Sequence, residues 1–217
     1  MTDNTRLVHE LSRELRAPLT VISGYLETLY DTHEEWQAPF DRMIKQSNRI
    51  DRLLNDLVYL TRLEEAENEA AQVAKVDIAA VIQMVTDEQR LYHPNKTFSY
   101  ASSTQSDIQG NGDQLYTAFT KLLENAGENT APDGCIEVLW HEVNGTRVLC
   151  IKDNGVGIEP QHLPRITDRF YRTDLNSDGV GLGLCIVKSI LEHHSACLRI
   201  SSEFGKGTAI ECVFKLE

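Results

Sequence analysis

Over roughly the first sixty-five residues, apolar side chains recur at three-and-four spacing in two blocks, and those two blocks alone cannot bury them. The first block is Leu7, Val8, Leu11, Leu15, Leu19, Ile22 and Leu26, which predicts a helix from about Thr5 to Tyr30. Pro18 lies inside it and should bend it locally. The polar stretch from Asp31 to Pro39, with Trp36 as a packing residue, reads as a turn. The second block, from Phe40 to about Glu65, carries Ile44, Ile50, Leu53, Leu54, Leu57 and Leu60. Two long helices on a short loop form an antiparallel hairpin with an unburied apolar stripe. Pairing with a second copy as a four-helix bundle solves that problem.

Glu64 to Ala74 is rich in Glu and Ala and has no apolar period, so residues 67–76 are expected to form a linker. Its acidic run reads as a solvated surface. Beyond it the pattern changes to mixed helix and strand. A helix capped by Asp77 is expected to Leu91, a short strand over Lys96 to Tyr100, and a helix over Asn111 to Gly127. Two β-rich runs, Cys135 to Val143 and Thr146 to Lys152, flank Asn144-Gly145, a strong hairpin signal. A helix from about Gly181 to His194 follows, with His193 and His194 in its last turn, where positive charge suits the helix dipole. Two strands, about Cys197 to Ser202 and Thr208 to Phe214, close the chain. Mostly antiparallel strands with helices on one face make an α+β sandwich. The organisation expected is therefore a helical hairpin over residues 1–66 and an α+β domain over 77–217. No internal repeat is visible.

Charge and cysteine usage narrow the function. A net charge of −12 argues against a nucleic-acid partner, which requires a basic face. The five cysteines are odd in number and include no Cys-x-x-Cys pair, which disfavours a zinc site and fits free thiols in a reducing cytosol. No run of eighteen apolar residues and no leader sequence are read, so the expectation is a cytoplasmic protein, or the cytosolic portion of an inner-membrane sensor.

Three glycine clusters stand in fixed order: Asp153-Asn154-Gly155-Val156-Gly157 after a strand, Gly179-Val180-Gly181-Leu182-Gly183-Leu184 opening a helix, and Gly205-Lys206-Gly207-Thr208 between the last strands. Glycines permit positive φ and close backbone approach, and a helix N-terminus attracts phosphate. Each cluster alone reads more simply as loop glycines. Their order, behind a helix bearing Leu122-Leu123-Glu124-Asn125-Ala126, resembles the N, G1 and G2 boxes of sensor histidine kinases, within the histidine-kinase, gyrase, Hsp90 and MutL ATPase superfamily. Arg169-Phe170-Tyr171-Arg172 resembles the F box. The stretch Ser12 to Thr20, with Gly24-Tyr25-Leu26-Glu27 behind it, resembles the H box of kinases of the phosphate-regulon type.

The resemblance implies ATP and Mg²⁺ as cofactors. It implies Asp153 as acceptor for the adenine amino group, and Asn125 as the Mg²⁺ ligand. Gly155, Gly157, Gly181 and Gly183 would let the backbone approach the nucleotide, Arg172 would reach phosphate, and Thr208 would belong to the last glycine box. Residues 173–180 would form a short lid. It implies as partners a second copy or another histidine kinase in a dimer, and the receiver domain of a response regulator.

The chain departs from the family pattern at four positions. Arg13 occupies the place of the phospho-acceptor histidine, and a guanidinium offers no lone pair for attack. Glu14, the family's general base, then has nothing to activate. Ala17 stands where the family carries Thr or Asn. Lys121 replaces an asparagine of the N box and also argues against a hydrolytic ATPase, while Glu128 replaces a basic residue near the phosphates and is expected to repel the triphosphate unless it is turned away or neutralised by Lys121 on the same helix. His9, one turn before Arg13, is a fallback acceptor displaced by roughly 6 Å, though a surface histidine is the simpler reading. These departures imply a signalling pseudokinase, or a partner acting in trans on a competent kinase. The alternatives are an active kinase using His9 and a non-catalytic module that docks a regulator.

Overall fold

The computed structural model describes residues 15–16, 19–29, 37–66, 74–104, 107–173 and 179–215. Helix α1 spans residues 19–29 and α2 spans Gln37–Ala66, 30 residues long. The α2 helix starts three residues before the expected Phe40. Pro39 fits in its first turn, where backbone N–H groups have no intrahelical acceptor. The two helices meet through the Ser23 and Ser47 hydroxyls, 2.6 Å apart, and Arg16 donates to Asn55 at 2.5 Å. Leu26 and Leu54 are buried between them.

The second part contains β1 (Ala74–Val76), α3 (Ile78–Tyr92), β2 (Thr97–Ser102), β3 (Ile108–Gly110), α4 (Gly112–Asn129), β4 (Cys135–Val143), β5 (Thr146–Asp153), α5 (Gly183–His193), β6 (Ala196–Glu203) and β7 (Gly207–Lys215), with a 3-10 turn at Leu163–Arg165. The main sheet has the order β2-β4-β5-β7-β6. It is mixed: β2 pairs parallel to β4 and the remaining pairs are antiparallel. Residues 74–76, at the end of the stretch expected as linker, pair antiparallel with β3 instead. Two three-residue strands are too short to show alternation, so neither is legible as a pattern.

Where the expected elements form, local chemistry accounts for them. Asp77 caps α3 by accepting from the Ala80 N–H at 3.0 Å. Asn111 caps α4 by accepting from Asp113 and Gln114 at 3.0 and 3.1 Å. Lys96 donates to the Gly127 and Thr130 carbonyls at the other end of α4. Asn144 and Gly145 take φ of 51° and 74°, the left-handed values a tight hairpin turn requires. The Trp140 side chain is fully buried, as expected of a packing residue. The α5 helix opens at Gly183, two residues later than expected, because Gly181 is left-handed at φ 78°.

His194 departs from the expected cationic helix end. It accepts the Asn111 N–H at Nε2 (3.0 Å), so its proton sits on Nδ1, which faces the Ile190 carbonyl at 2.7 Å. Burial lowers its pKa, and the ring is a neutral tie between the end of α5 and the start of α4.

One core unites the sheet with α3, α4 and α5. Ile82, Phe119, Leu122, Ile136, Trp140 and Ile186 lie within it, and Leu60 and Leu63 at the end of α2 join it. The hairpin is thus anchored to the second part by its own apolar stripe.

Candidate functional site

Strand period delivers the central side chain. Along β5 the residues facing the helices are Leu149, Ile151 and Asp153, all buried. Asp153 is the next inward position after two core residues, so alternation turns a carboxylate toward the helix layer. Neighbouring β7 presents Thr208 and Ile210 inward, with Ile210 opposite Ile151. That register sets the Thr208 N–H 3.2 Å from Asp153 Oδ1, and the Gly155 N–H reaches the same oxygen at 2.9 Å. Burial raises the Asp153 pKa, and these two N–H groups pull against the shift.

The glycines have separate tasks. A Cβ on Gly155 would lie 2.1 Å from the Asn129 carbonyl oxygen, and one on Gly207 would lie 2.0 Å from that of Asp153. Both let backbone pack where a side chain would collide. Gly157 and Gly181 need positive φ as well as space. Gly183 differs: a Cβ there meets nothing within 4 Å, so it opens onto the cavity rather than onto protein.

These parts surround a cavity of about 680 Å³. Asn125, Asp153, Gly157, Arg172, Gly181, Gly183 and Thr208 all line it, while Gly155 supports it through Asp153. The structure thus brings together the residues expected at the nucleotide site. Asn125 Oδ1 is 3.2 Å from the Asn129 amide, which donates to it one helical turn on. Beside them, Phe170 holds a left-handed φ of 63° and its N–H bonds the Gly181 carbonyl at 2.8 Å, which joins the two ends of the lid segment. Tyr171 is fixed by a 2.7 Å hydrogen bond to His162 and by the Arg165 guanidinium, 4.3 Å from its ring centre. Residues 174–178 of the expected lid, together with His9, Arg13, Glu14, Ala17, Pro18 and Trp36, lie outside the described residues.

Of the two arrangements open to Glu128, neutralisation by Lys121 is not the one that forms. The Lys121 ammonium donates to Asp56 of α2 at 2.6 Å. Both groups also line the cavity, as do Arg52 of α2, Glu124, Glu128 and Asn129. Burial raises the Glu124 pKa, against the opposing pull of Lys121. Sequence reasoning missed Arg52 and Asp56 because no local pattern announces that a hairpin helix will wall a distant cavity. Asn129 was findable, being four residues after Asn125 on one helix face. A second ion pair, between Arg169 and Glu64, links the F-box stretch to α2 outside the cavity.

Helices on one face of a mixed sheet, an inward carboxylate at a strand end and glycine loops around a nucleotide-sized cavity define an ATP-binding domain. Residues 110–217 match the family described as histidine kinase-, DNA gyrase B- and HSP90-like ATPase, and residues 3–66 match the His Kinase A (phospho-acceptor) domain. The chain is 38% identical over 216 residues to the phosphate regulon sensor protein PhoR of Pseudomonas aeruginosa, covering 95% of this chain and 49% of that protein. It therefore spans about half the length of that relative. Among solved structures, the mycobacterial sensor histidine kinase MprB is 30% identical, with a TM-score of 0.60, over 65% of this chain and 96% of that one. The Acinetobacter baumannii histidine kinase AdeS, 21% identical, shares the fold over 94% of this chain and 98% of its own, with a TM-score of 0.65. The chain belongs to the sensor histidine kinases, as a two-component kinase core with an ATP-binding domain. Among the described residues no helix is long and apolar enough to cross a membrane.

Proposed function

We propose that this kinase core binds ATP with Mg²⁺ in the cavity, dimerises through its hairpin, docks a response-regulator receiver domain, and cannot phosphorylate itself in cis. The observation that carries the nucleotide site is Asp153, buried and aimed at the helix layer with Oδ1 held by two backbone N–H groups. Held this way, it accepts from the adenine amino group without rearrangement. Gly155, Gly157, Gly181 and Gly183 shape the walls, Arg172 meets phosphate, and Thr208 orients Asp153. Asn125 offers a neutral amide oxygen on the cavity wall, a hard ligand suited to Mg²⁺. Among the described residues no cluster of three or more His, Cys, Asp or Glu residues could hold a metal. Bound Mg²⁺ would neutralise charge on the triphosphate.

Dimerisation is supported by an uncovered stripe. Leu15, Ile22 and Leu29 follow each other at seven-residue steps and are 46%, 49% and 40% exposed; Met43 and Ile50 on α2 are 51% and 42% exposed. Seven-residue apolar spacing is the seam of packed helical bundles. A second copy, or another histidine kinase, would cover it. Either would place the hairpin in the form that a receiver domain meets.

The acceptor position is Arg13. Phosphoryl transfer is mostly positioning and charge stabilisation, yet it needs a lone pair in line with the γ-phosphorus. A guanidinium has none to offer. The chain acts accordingly as a pseudokinase, or donates phosphoryl to the histidine of a competent partner, and Glu14 has no acceptor of its own to activate. The test measures ATP binding and incorporation of labelled phosphate together. Expected are binding without acid-labile labelling, and labelling recovered in Arg13→His. Labelling of the unmodified chain, lost in His9→Ala, would overturn the pseudokinase reading and make His9 the acceptor.

A further inference from the structure

We infer that the Lys121–Asp56 ion pair is a latch opened by bound nucleotide: Lys121 is a triphosphate-binding residue, and Asp56 of α2 is the competitor that holds its ammonium away. This rests on the reading that the cavity takes ATP. Among the described residues two ion pairs join α2 to the ATP-binding domain. Arg169–Glu64 is half-exposed and lies off the cavity. Lys121–Asp56 is only 18% and 20% exposed, and both its members line the cavity. Of the two links, only this one faces a ligand.

Position on α4 supports the same role. Lys121 stands four residues before Asn125, so both project from one helix face about 6 Å apart along the axis. The ammonium therefore sits one turn from the amide that meets the metal-bound phosphates. Charge makes the exchange favourable. This end of the cavity carries the carboxylates of Asp56, Glu124 and Glu128 against the cations of Arg52 and Lys121. A triphosphate entering there meets less repulsion once the Lys121 ammonium turns to it. Lysine has three rotatable N–H donors on a flexible stem, and a triphosphate is a stronger acceptor than one carboxylate. By linkage, whatever the nucleotide gains from Lys121 loosens α2, and whatever holds α2 in place weakens the nucleotide.

The test is calorimetry of MgATP and AMP on the full chain. Asp56→Asn should tighten MgATP about two- to fivefold, the range expected for releasing a partly exposed ion pair, and leave AMP unchanged. Lys121→Met should weaken MgATP, and adding Asp56→Asn to it should restore little. Glu64→Gln, which breaks the other link, should leave MgATP affinity unaltered. In the unmodified chain, MgATP but not AMP should speed hydrogen exchange in α2 around residues 56–60, a readout that needs no variant to fold. Unchanged or weaker MgATP binding in Asp56→Asn overturns the latch. So does an equal gain in Glu64→Gln, which would trace the effect to a loosened interface, or a full gain persisting without Lys121. Absence of nucleotide binding in the unmodified chain overturns the latch and the ATP site together; binding that is lost in Asp153→Asn but indifferent to Asp56→Asn overturns the latch alone.

Discussion

Replacing Asp153 by Asn separates recognition of adenine from stability of the fold. The Asp153→Ala substitution confounds them, because it strands the N–H groups of Gly155 and Thr208, which both donate to Oδ1. Each orphaned buried donor costs about 1–3 kcal/mol, so alanine would weaken the domain as well as the site. Asparagine keeps a carbonyl oxygen for those two donors. Its second group is an amide N–H₂, which meets the adenine amino group donor to donor. Losing a charge-assisted hydrogen bond and leaving both donors unpaired amounts to about 3 kcal/mol, or roughly 150-fold in ATP affinity. Stability should move the other way. Burial raises the Asp153 pKa above the unfolded value of 3.8, so the ionised form disfavours folding. That cost is absent below the unfolded value and present once pH rises above the folded one. Asp153→Asn should therefore melt no lower than the parent at pH 7, and its advantage should vanish towards pH 3.8. Fluorescent-nucleotide titration and thermal melts at two pH values test both halves. A variant that binds ATP normally would refute the adenine contact, and one that melts well below the parent would refute the account of how Asp153 is held.

His194 should give the fold an acid-sensitive step. Its lowered pKa means the neutral ring stabilises above the unfolded value of 6.5, and that stability is lost as pH falls through the folded value. Urea melts across pH 5 to 7 should show a dependence that His194→Gln reduces by up to about one proton. Gly207→Ala should destabilise the domain by about 1–3 kcal/mol, since it must hold φ of 119° with its Cβ 2.0 Å from the Asp153 carbonyl oxygen; a melt unchanged from the parent would contradict that packing. Ile22→Glu with Ile50→Glu should convert the proposed dimer to monomer in light scattering, since each side chain is about half exposed in the single chain and covering the rest contributes about 0.7–1.5 kcal/mol, and a variant that stays dimeric would remove that stripe from the interface.

Legibility in the sequence followed the range of the physics. Helix caps and the Asn144-Gly145 turn act over a few residues, so Asp77, Asn111 and the β4–β5 hairpin were readable. The glycine boxes were readable as a set because each marks a close approach, as Gly155 and Gly207 show. What stayed hidden depends on contacts between distant segments. The parallel pairing of β2 with β4, the three-residue strands β1 and β3, and the neutral state of His194 each follow from a partner far along the chain. Lys121 illustrates the limit. Helix spacing made Glu128 a reasonable partner, and only tertiary packing shows that Asp56, 65 residues away, takes the ammonium.

That exchange of partners changes how the departures at 121 and 128 bear on each other. An isolated lysine in place of a neutral amide, part-buried beside the core, would carry an unpaired charge into a poorly solvated wall. Asp56 removes that problem, and it belongs to the hairpin rather than to the ATP-binding domain. The substitution at 121 is thus coupled to the placement of α2. Glu128 is not paired with Lys121, and it adds to the negative charge that Glu124 and Asp56 bring to the same rim, with Arg52 set against it. Such a rim favours a nucleotide more when the Lys121 ammonium is released to join Arg52 and Arg172 in meeting it. The energetic state of the site is therefore set jointly by the ligand and by α2, whose other end carries the exposed apolar residues Met43 and Ile50. A change in how the hairpin helices pack would alter nucleotide affinity without touching a residue of the glycine boxes, which makes the contact between α2 and α4 the place where the two halves of the chain communicate.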